Sequence, residues 1–218
     1  MDAGCGIGAF SFLAADAGNY VLGLTFDQEQ MSMAETCRDI LRLNAGFKHV
    51  DLRVLETIGL TPTTFDQIIC CEVIEHLLDD DKLIRNLVDR LSPGGTLLLT
   101  TPDIDANRLF GASLSKEEDG GHVRWGYSQR DLKLRLEKAG LTVREASTIG
   151  GYLCQKLMNV CLRFFSKRPS AMRMINGAYL LLRPIDLLVT RLIGYRCVSI
   201  AMVVERGDEK VLTNEGPV

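Results

Sequence analysis

Near the start of the chain lies the stretch Asp2-Ala-Gly4-Cys-Gly6-Ile-Gly8, which is followed by an apolar helical pattern over residues 9–15. Glycine at every second position allows the backbone to turn tightly and to approach a ligand closely. The spacing Gly-x-Gly-x-Gly differs from the Gly-x-Gly-x-x-Gly of dinucleotide-binding loops. Taken alone, the stretch fits a ligand-binding loop and a simple tight turn equally well.

Beyond this loop, short β-like runs alternate with helical patterns. The predicted strands cover residues 20–25, 49–55, 65–71, 96–101 and 141–146, and the predicted helices cover 27–43, 79–91 and 128–139. The predicted N-caps include Asp27 and Ser128, whose side-chain oxygens can accept from backbone N–H groups. The alternation predicts an α/β fold, a Rossmann-like, doubly wound, mostly parallel sheet with helices on both faces. Ligands bind such sheets at the carboxyl ends of the strands, so functional residues are expected in the loops that follow them.

The composition is that of an ordinary folded domain. The chain has 218 residues, of which 46% are hydrophobic and 24% charged, so a disordered chain is not expected. A net charge of −3 argues against a general nucleic-acid-binding protein. No stretch approaches the roughly 18 uncharged apolar residues of a membrane span. The first residues also lack the basic segment that opens a signal peptide.

Cysteine usage indicates a reducing compartment. The seven cysteines are an odd number, without a Cys-x-x-Cys pair and without a His/Cys cluster in the sequence. We therefore predict reduced thiols in a cytoplasmic protein, with neither a disulfide framework nor a metal site.

Charge divides the chain into unequal parts. Residues 1–148 contain 15 basic and 23 acidic side chains, whereas residues 149–196 contain eight basic side chains and a single acid, Asp186. The second segment is also strongly apolar and helical in pattern. We predict a core over residues 1–148, a helical insertion over 149–196, a final strand over 197–206 that returns to the sheet, and a tail over 207–218. The insertion fits either a cap packed on the sheet or a basic, apolar surface that contacts a membrane peripherally.

Further motifs follow the glycine loop in a fixed order. They are Val21-Leu-Gly-Leu-Thr25, Leu55-Glu-Thr-Ile-Gly-Leu60, Phe65-Asp-Gln-Ile-Ile-Cys-Cys-Glu-Val-Ile-Glu-His-Leu77, Leu91-Ser-Pro-Gly-Gly-Thr-Leu-Leu-Leu99 and Gly121-His-Val-Arg-Trp-Gly-Tyr-Ser128. Jointly they resemble the class I S-adenosylmethionine-dependent methyltransferases of the small-molecule type. The resemblance covers about residues 1–148 and the last strand.

The resemblance implies S-adenosylmethionine as cofactor and a set of residues that bind it. These are Asp2, Gly4, Cys5, Gly6, Gly8, Thr25, Phe26, Gln30, Glu56, Thr57 and Cys71. Asp2 would hold the α-amino group, Thr25 and Gln30 the ribose, and Glu56 the adenine amine. The alternative for Glu56 is a solvated loop acid, and the alternative for Gln30 is an exposed residue of a first helical turn.

One feature departs from the family pattern. The family's first, central strand precedes the glycine loop, whereas Met1 alone precedes Asp2 here. The first strand is therefore expected to be missing or truncated. Loss of a central strand leaves backbone groups of its neighbours unpaired, so we expect such a chain to fold poorly or to bind the cofactor weakly.

Two histidines follow predicted strands and are candidates for catalysis. His122 and His76 have side chains whose pKa lies near neutrality, and either could take a proton from a substrate hydroxyl. The alternatives are that His76 packs at a helix start and that His122 pins its loop. Glu75 either orders its loop or faces the substrate.

The expected function is transfer of a methyl group to a small-molecule acceptor, with O-methylation favoured. An alternative is C-methylation of a lipid or prenyl-type substrate, because Thr25 and Gln30 resemble a variant found in cyclopropane fatty acid synthases. A third alternative is an inactive cofactor-binding or interaction protein. The expected partner is a small, apolar or lipidic molecule, and no nucleic acid is expected.

Overall fold

The computed structural model describes residues 1–109, 112–165, 182 and 184–207. Its strands are β1 (Asp2–Ala3), β2 (Val21–Thr25), β3 (Ala45–His49), β4 (Phe65–Cys71), β5 (Leu91–Pro102), β6 (Leu141–Ile149) and β7 (Ser199–Arg206). Its α-helices are α1 (Ala9–Asp16), α2 (Gln28–Leu41), α3 (Asp80–Arg90), α4 (Gln129–Lys138) and α5 (Tyr152–Val160). Leu52–Thr57 and Ile74–His76 are 3₁₀ helices, Cys161–Phe165 is a π-helical turn, and residues 184–192 are helical.

The described strands form one seven-stranded sheet in the order β3-β2-β1-β4-β5-β7-β6. Strand β7 is antiparallel to β5 and β6, and the other neighbouring strands are parallel. This architecture confirms the predicted doubly wound α/β fold. The strand order reverses between β1 and β4, which is where ligands bind in such sheets.

The central strand is short but paired on both sides. Asp2 lies opposite Gly23 of β2 and Ile69 of β4. The backbone of Met1 extends the pairing, since its nitrogen donates to the Gln67 carbonyl at 2.8 Å and its carbonyl accepts from the Ile69 N–H at 2.9 Å. Two residues therefore fill the position of the strand that the sequence predicts to be missing or truncated.

Helices cover both faces of the sheet, as predicted. On one face, α1 and α2 pack against a small cluster that includes Ala15, Ala34 and Phe47. On the other face, α3 and α4 pack their leucines into the main core around β2, β4, β5 and β7. The side chains of Val21 and Leu22 enter different clusters because successive residues of a strand point to opposite faces.

The predicted strand over 49–55 is wrong. The third strand lies at Ala45–His49, and Leu52–Thr57 is a 3₁₀ helix. The apolar side chains of the later segment, Leu52 and Leu55, are both buried, and their spacing of three residues suits a 3₁₀ turn. The alternation of apolar and polar residues in this segment therefore reflects a short helix that buries one of its faces.

A buried carboxylate joins the two described helical parts of the predicted insertion. Asp186, in the 184–192 helix, accepts hydrogen bonds from the backbone N–H groups of Gly151, Leu153 and Cys154 at the start of α5, at 3.1, 2.7 and 3.3 Å. The second helical pattern of the insertion covers residues 172–193, of which 172–181 and 183 lie outside the described residues. Among the described helices, none is long and apolar enough to cross a membrane.

Candidate functional site

An open cavity of about 710 Å³ lies where the carboxyl ends of β1, β2, β3 and β4 meet. Its volume is within the range of small-ligand sites, about 300–1,000 Å³. Its lining includes Gly4, Gly6, Thr25, Phe26, Gln30, His49, Asp51, Leu52, Arg53, Val73, His76, Glu118, Asp119 and Gly120. We call it the loop cavity. The lining contains five residues that the sequence predicts as cofactor-binding, namely Gly4, Gly6, Thr25, Phe26 and Gln30. It also contains His76, one of the two predicted catalytic histidines.

The glycine loop has no room for a side chain at its first turn. Gly4 has φ +82°, and a Cβ there would lie 2.3 Å from Val73 Cγ2. The N–H groups of Gly4 and Cys5 both donate to the Leu24 carbonyl, at 2.9 and 2.8 Å, which holds the loop against β2. Gly8 closes the loop as the left-handed N-cap of α1.

Four other residues that the sequence predicts as cofactor-binding, Asp2, Cys5, Gly8 and Cys71, are not part of the cavity lining. The buried Asp2 carboxylate accepts from the Ser11 hydroxyl at 2.6 Å, and burial raises its pKa while this hydrogen bond opposes the shift. Burial likewise raises the pKa of the Cys5 thiol to about 12 and that of Cys71 to about 11. The carboxylate of Asp2 and the thiols of Cys5 and Cys71 are therefore surrounded by protein and do not face the open cavity.

The rim after β2 is held by local hydrogen bonds. The buried Thr25 hydroxyl accepts from the Asp27 N–H at 3.3 Å, and Asp27 caps α2 by accepting from Glu29 and Gln30. The His49 Nε2 lies 2.6 Å from the Phe26 carbonyl, so it carries a proton and donates. Phe26 is 62% exposed and lines the loop cavity.

Asp51, an acid that the sequence patterns do not single out, also lines the loop cavity. Asp51 follows β3, and its carboxylate accepts from Arg53 Nε and Nη2 at 2.9 and 2.6 Å. Arg53 holds the pKa of Asp51 below its usual range. The same guanidinium lies 5.5 Å from the centre of the Phe26 ring and 3.4 Å from the Glu118 carboxylate.

The structure does not bring Glu56 or Thr57 to the loop cavity. The Glu56 carboxylate pairs with Lys82 Nζ at 2.6 Å and accepts from Asn86 at 2.8 Å, both on α3. The Thr57 hydroxyl donates to the Val54 carbonyl at 2.8 Å. Glu56 therefore ties the 3₁₀ helix to α3, whereas Asp51, which follows β3, lines the cavity.

The loop after β4 contains a buried, incompletely paired carboxylate. Glu75 has no exposed surface, its Oε2 accepts from the Thr101 hydroxyl at 3.1 Å, and among the described residues Oε1 has no hydrogen-bond partner. Burial raises the pKa of Glu75 to about 8, and the nearby charge of Glu72 adds to the shift. Glu72 itself adopts the left-handed φ of +55° and accepts from the Thr100 hydroxyl at 2.9 Å.

The two histidines predicted for catalysis lie together beside this carboxylate. The rings of His76 and His122 are 4.6 Å apart between centroids and nearly perpendicular. His76 Nε2 lies 3.9 Å from Glu75 Oε1, and one potential ligand atom from each of the three residues lies within 4.8 Å of the other two. We call this set the Glu-His cluster (Glu75, His76 and His122). Burial lowers the pKa of His122, and His76 adds to the shift, so His122 is favoured as a neutral imidazole.

The segment 112–124 connects the cluster to the loop cavity. Its Glu118 carboxylate accepts from the Leu78 N–H at 2.5 Å, and its Val123 N–H donates to the Glu75 carbonyl at 3.0 Å. Glu118, Asp119 and Gly120 line the cavity, while His122 belongs to the cluster. The segment therefore supplies lining residues to the loop cavity and one histidine to the Glu-His cluster.

Comparison with known proteins gives a consistent result. The family model described as a methyltransferase domain matches residues 1–146. A ubiquinone biosynthesis O-methyltransferase of Coxiella burnetii is 31% identical over 114 residues, which are 52% of this chain and 46% of that protein. A protein of the same name from Aeromonas salmonicida is 26% identical over 156 residues, which are 68% of this chain and 65% of that protein. The chain thus spans about half to two thirds of the length of these curated relatives.

Solved structures share the fold. An S-adenosylmethionine-dependent methyltransferase from Mesorhizobium loti superposes with a TM-score of 0.59 at 18% identity, over 94% of this chain and 89% of that one. At this identity the likeness concerns the fold alone. Since the family model covers most of the chain and the sheet order and glycine loop agree with it, the chain belongs to the methyltransferase-domain family of class I S-adenosylmethionine-dependent methyltransferases.

Proposed function

We propose that this chain transfers a methyl group from S-adenosylmethionine to a hydroxyl oxygen of a small-molecule acceptor. The observation that carries the proposal is the position of His76, which lines the loop cavity and also belongs to the Glu-His cluster. A methyl donor in the cavity and an acceptor hydroxyl at the cluster would therefore be neighbours. Alignment of this kind is the main contribution that a protein makes to such a transfer.

The residues of the loop cavity fit the cofactor. The bare backbone at Gly4 and Gly6 allows a ligand to approach, and the hydroxyl of Thr25, the amide of Gln30 and the carboxylate of Asp51 offer polar groups for ribose and adenine. Phe26 and Leu52 offer apolar contacts for the adenine ring. The Asp51 carboxylate has lone pairs that are not bound by Arg53, and these can accept a hydrogen bond from the ligand.

The acceptor must lose a proton during the reaction. When bound, the cofactor would supply a methyl group for displacement by the acceptor oxygen, with the electron pair of the carbon–sulfur bond going to sulfur as the carbon–oxygen bond forms. The hydroxyl proton then has to leave the acceptor oxygen. We assign its removal to the Glu-His cluster, with His122 and then His76 as the candidate bases. A base that can take the proton of an acceptor hydroxyl favours O-methylation over C-methylation.

The proposal also concerns the acceptor and the location of the protein. We propose an apolar or lipidic acceptor, a cytoplasmic location and contact with a membrane surface. The insertion exposes several large apolar side chains, Phe164, Ile185, Leu187, Leu188, Leu192 and Ile193. Residues 149–196 also carry eight basic side chains and one acid. Apolar side chains among basic ones are typical of proteins that lie on anionic lipid. The seven cysteines, all within the described residues, form no disulfide, which fits a reducing compartment.

Flotation with liposomes tests the membrane part. We expect the chain to float with vesicles that contain phosphatidylglycerol and not with neutral ones, and Leu192→Glu to reduce the floated fraction severalfold. Leu134→Glu, at an exposed leucine of α4 outside the insertion, is the matched control and should float like the wild type. Absence of the wild-type chain from the floated fraction would exclude membrane contact and leave the insertion as a cap.

Titration with S-adenosylhomocysteine tests the cofactor site. We expect the full chain to bind it with a Kd in the micromolar range and Asp51→Asn to weaken binding about tenfold, the loss of one charge-assisted hydrogen bond. Glu56→Gln is the matched control, because this acid is paired with Lys82 away from the cavity, and it should leave the Kd within about twofold. Calorimetry measures all three.

The opposite pattern would have a clear meaning. A large effect of Glu56→Gln with none of Asp51→Asn would place the adenine as the sequence predicts. No binding by the wild-type chain would contradict the proposed enzyme and favour an interaction protein. Transfer of a labelled methyl group to phenolic acceptors then separates O-methylation from the other reactions.

A further inference from the structure

We propose that the Glu-His cluster is a binding site for a divalent transition-metal ion, which in turn binds the acceptor oxygen. The inference rests on the proposed function for its role in catalysis, although binding of the ion can be measured independently. It differs from the sequence-based expectation of no metal site, because the three residues come together only in the folded chain.

The distances suit a metal site. One potential ligand atom of Glu75, His76 and His122 lies within 4.8 Å of each of the others, and His76 Nε2 is 3.9 Å from Glu75 Oε1. Two ligands of one Zn²⁺, each about 2.0–2.1 Å from it, lie about 3.3 Å apart in tetrahedral geometry. Each side chain therefore has to move by less than about 1 Å to bind one ion.

The proton of His76 is placed as a metal ligand requires. Its Nδ1 lies 3.0 Å from the Gly121 carbonyl, and a carbonyl can only accept, so Nδ1 carries the proton. In the neutral ring this leaves the lone pair on Nε2, the atom that faces Glu75. Metal-binding histidines commonly donate their other N–H to a backbone carbonyl, which fixes both the tautomer and the ring orientation.

The carboxylate of Glu75 has an unused oxygen that points into the cluster. The side chain is fully buried, Thr101 satisfies Oε2, and among the described groups none hydrogen-bonds Oε1. A buried polar atom without a partner costs about 1–3 kcal/mol. A cation between Oε1 and the two imidazoles would supply that partner. Glu72, on the same loop, adds a second acidic group nearby.

The ligand set indicates the class of metal. Two imidazoles and a carboxylate suit Zn²⁺, Mn²⁺ or Fe²⁺ better than Mg²⁺, which prefers oxygen ligands. Three protein ligands leave at least one position of the ion open, as in catalytic metal sites. An acceptor hydroxyl in that position would have a lowered pKa and would release its proton to solvent before attack. With the ion bound, the lone pairs of His76 and His122 are its ligands. Loss of the proton from the metal-bound hydroxyl then replaces the role of base that the proposed function assigns to these two imidazoles in the metal-free site.

Metal titration of the chelator-treated full chain tests the site. We expect one equivalent of Mn²⁺, and of Zn²⁺ in a separate titration, to bind by calorimetry. His122→Ala and Glu75→Gln should each weaken binding by at least about tenfold. His49→Ala removes an imidazole outside the cluster and is the matched control for metal binding, which it should leave unchanged. His122 is only half-buried, so its alanine variant keeps the test valid if Glu75→Gln does not fold.

The same samples are titrated with S-adenosylhomocysteine, which separates the two proposals. Nucleoside binding without metal binding, or metal binding that His122→Ala leaves unchanged, would overturn the metal site and leave the methyltransferase in place. Metal binding at these residues without nucleoside binding would support the site and contradict the proposed function. Where both bind, a chelator should abolish methyl transfer and Mn²⁺ should restore it. Full activity in the chelator would instead indicate that an imidazole acts as the base.

Discussion

Replacement of Gly126 by alanine is expected to lower the melting temperature by about 6–12 °C, which corresponds to about 3 kcal/mol in a domain of this size. A Cβ at Gly126 would lie 1.9 Å from the Pro102 carbonyl oxygen, and the residue has φ +111°. The obstructing atom is backbone at the end of β5, so no rotation of a side chain relieves the contact. The Pro102 carbonyl also accepts from the Tyr127 N–H at 3.0 Å, and this bond has to lengthen.

The expected loss extends beyond the turn because Tyr127 belongs to a buried network. Its hydroxyl donates to Asp80 at 2.5 Å, and Arg124 and Arg135 pair with the same carboxylate. Moving Tyr127 leaves Asp80 with fewer partners in a buried place, which is costly. The network joins the start of α3 to the end of the segment that holds His122, so nucleoside binding should weaken together with stability.

Gly140→Ala is the matched control for this prediction. Gly140 has φ +86° but no atom within 4 Å of its Cβ position, so the variant carries only backbone strain, about 1 kcal/mol. Scanning calorimetry of the two variants therefore isolates the clash with Pro102. Equal melting temperatures for both would show that β5 yields freely and would contradict the structure at this turn.

The sequence predicts most of the fold because its signals are local. Asp27 and Ser128 are the N-caps of α2 and α4 that the sequence predicts, and each accepts from backbone N–H groups of the first helical turn. A strand whose position is set by pairing with its neighbour carries no such local signal. β3 contains a single large apolar residue, Phe47, and is defined by its register with β2, in which Val21 lies opposite Ala45.

The error in this strand explains why the sequence predicts Glu56 and not Asp51 as the candidate acid at the cavity. A strand that ends at Leu55 makes Glu56 the acid at the carboxyl edge of the sheet, whereas a strand that ends at His49 gives that place to Asp51. The available signal was an acid immediately after a short β-like run. It could be used only after the strand had been placed, and placement depends on pairing between distant residues.

The Glu-His cluster likewise depends on contacts between residues that are distant in the sequence. His76 and His122 could each be selected because they follow predicted strands. Their proximity depends on the segment 112–124, which is held over the β4 loop by the bonds of Val123 to Glu75 and of Gly121 to His76. The unpaired oxygen of Glu75 is likewise a property of the packed structure, since the sequence alone does not show which carboxylates find partners.

Replacement of Gly4 by alanine is expected to weaken binding of S-adenosylhomocysteine by at least about 100-fold, or about 2.7 kcal/mol. The Cβ would lie 2.3 Å from Val73 Cγ2, and an alanine at φ +82° adds backbone strain of about 1–3 kcal/mol. Val73 is β-branched and stiff about χ1, so the loop has to move from the ligand position to relieve the contact. The obstructing atom is a methyl group of the half-buried Val73 and not backbone as at Gly126, so the fall in melting temperature should be smaller than for Gly126→Ala.

A second substitution separates a moved loop from a damaged fold. In Gly4→Ala/Val73→Ala the clashing methyl group is gone, so calorimetry should show about a tenfold recovery of affinity over Gly4→Ala alone, a coupling of about 1.4 kcal/mol. Gly18→Ala has φ +92° and open space, and as the matched control it should bind the nucleoside like the wild type. If Gly4→Ala binds within threefold of the wild type, the nucleoside does not depend on the tight turn after β1. The loop cavity would then have to hold its ligand through the rim of Thr25, Gln30 and Asp51 instead.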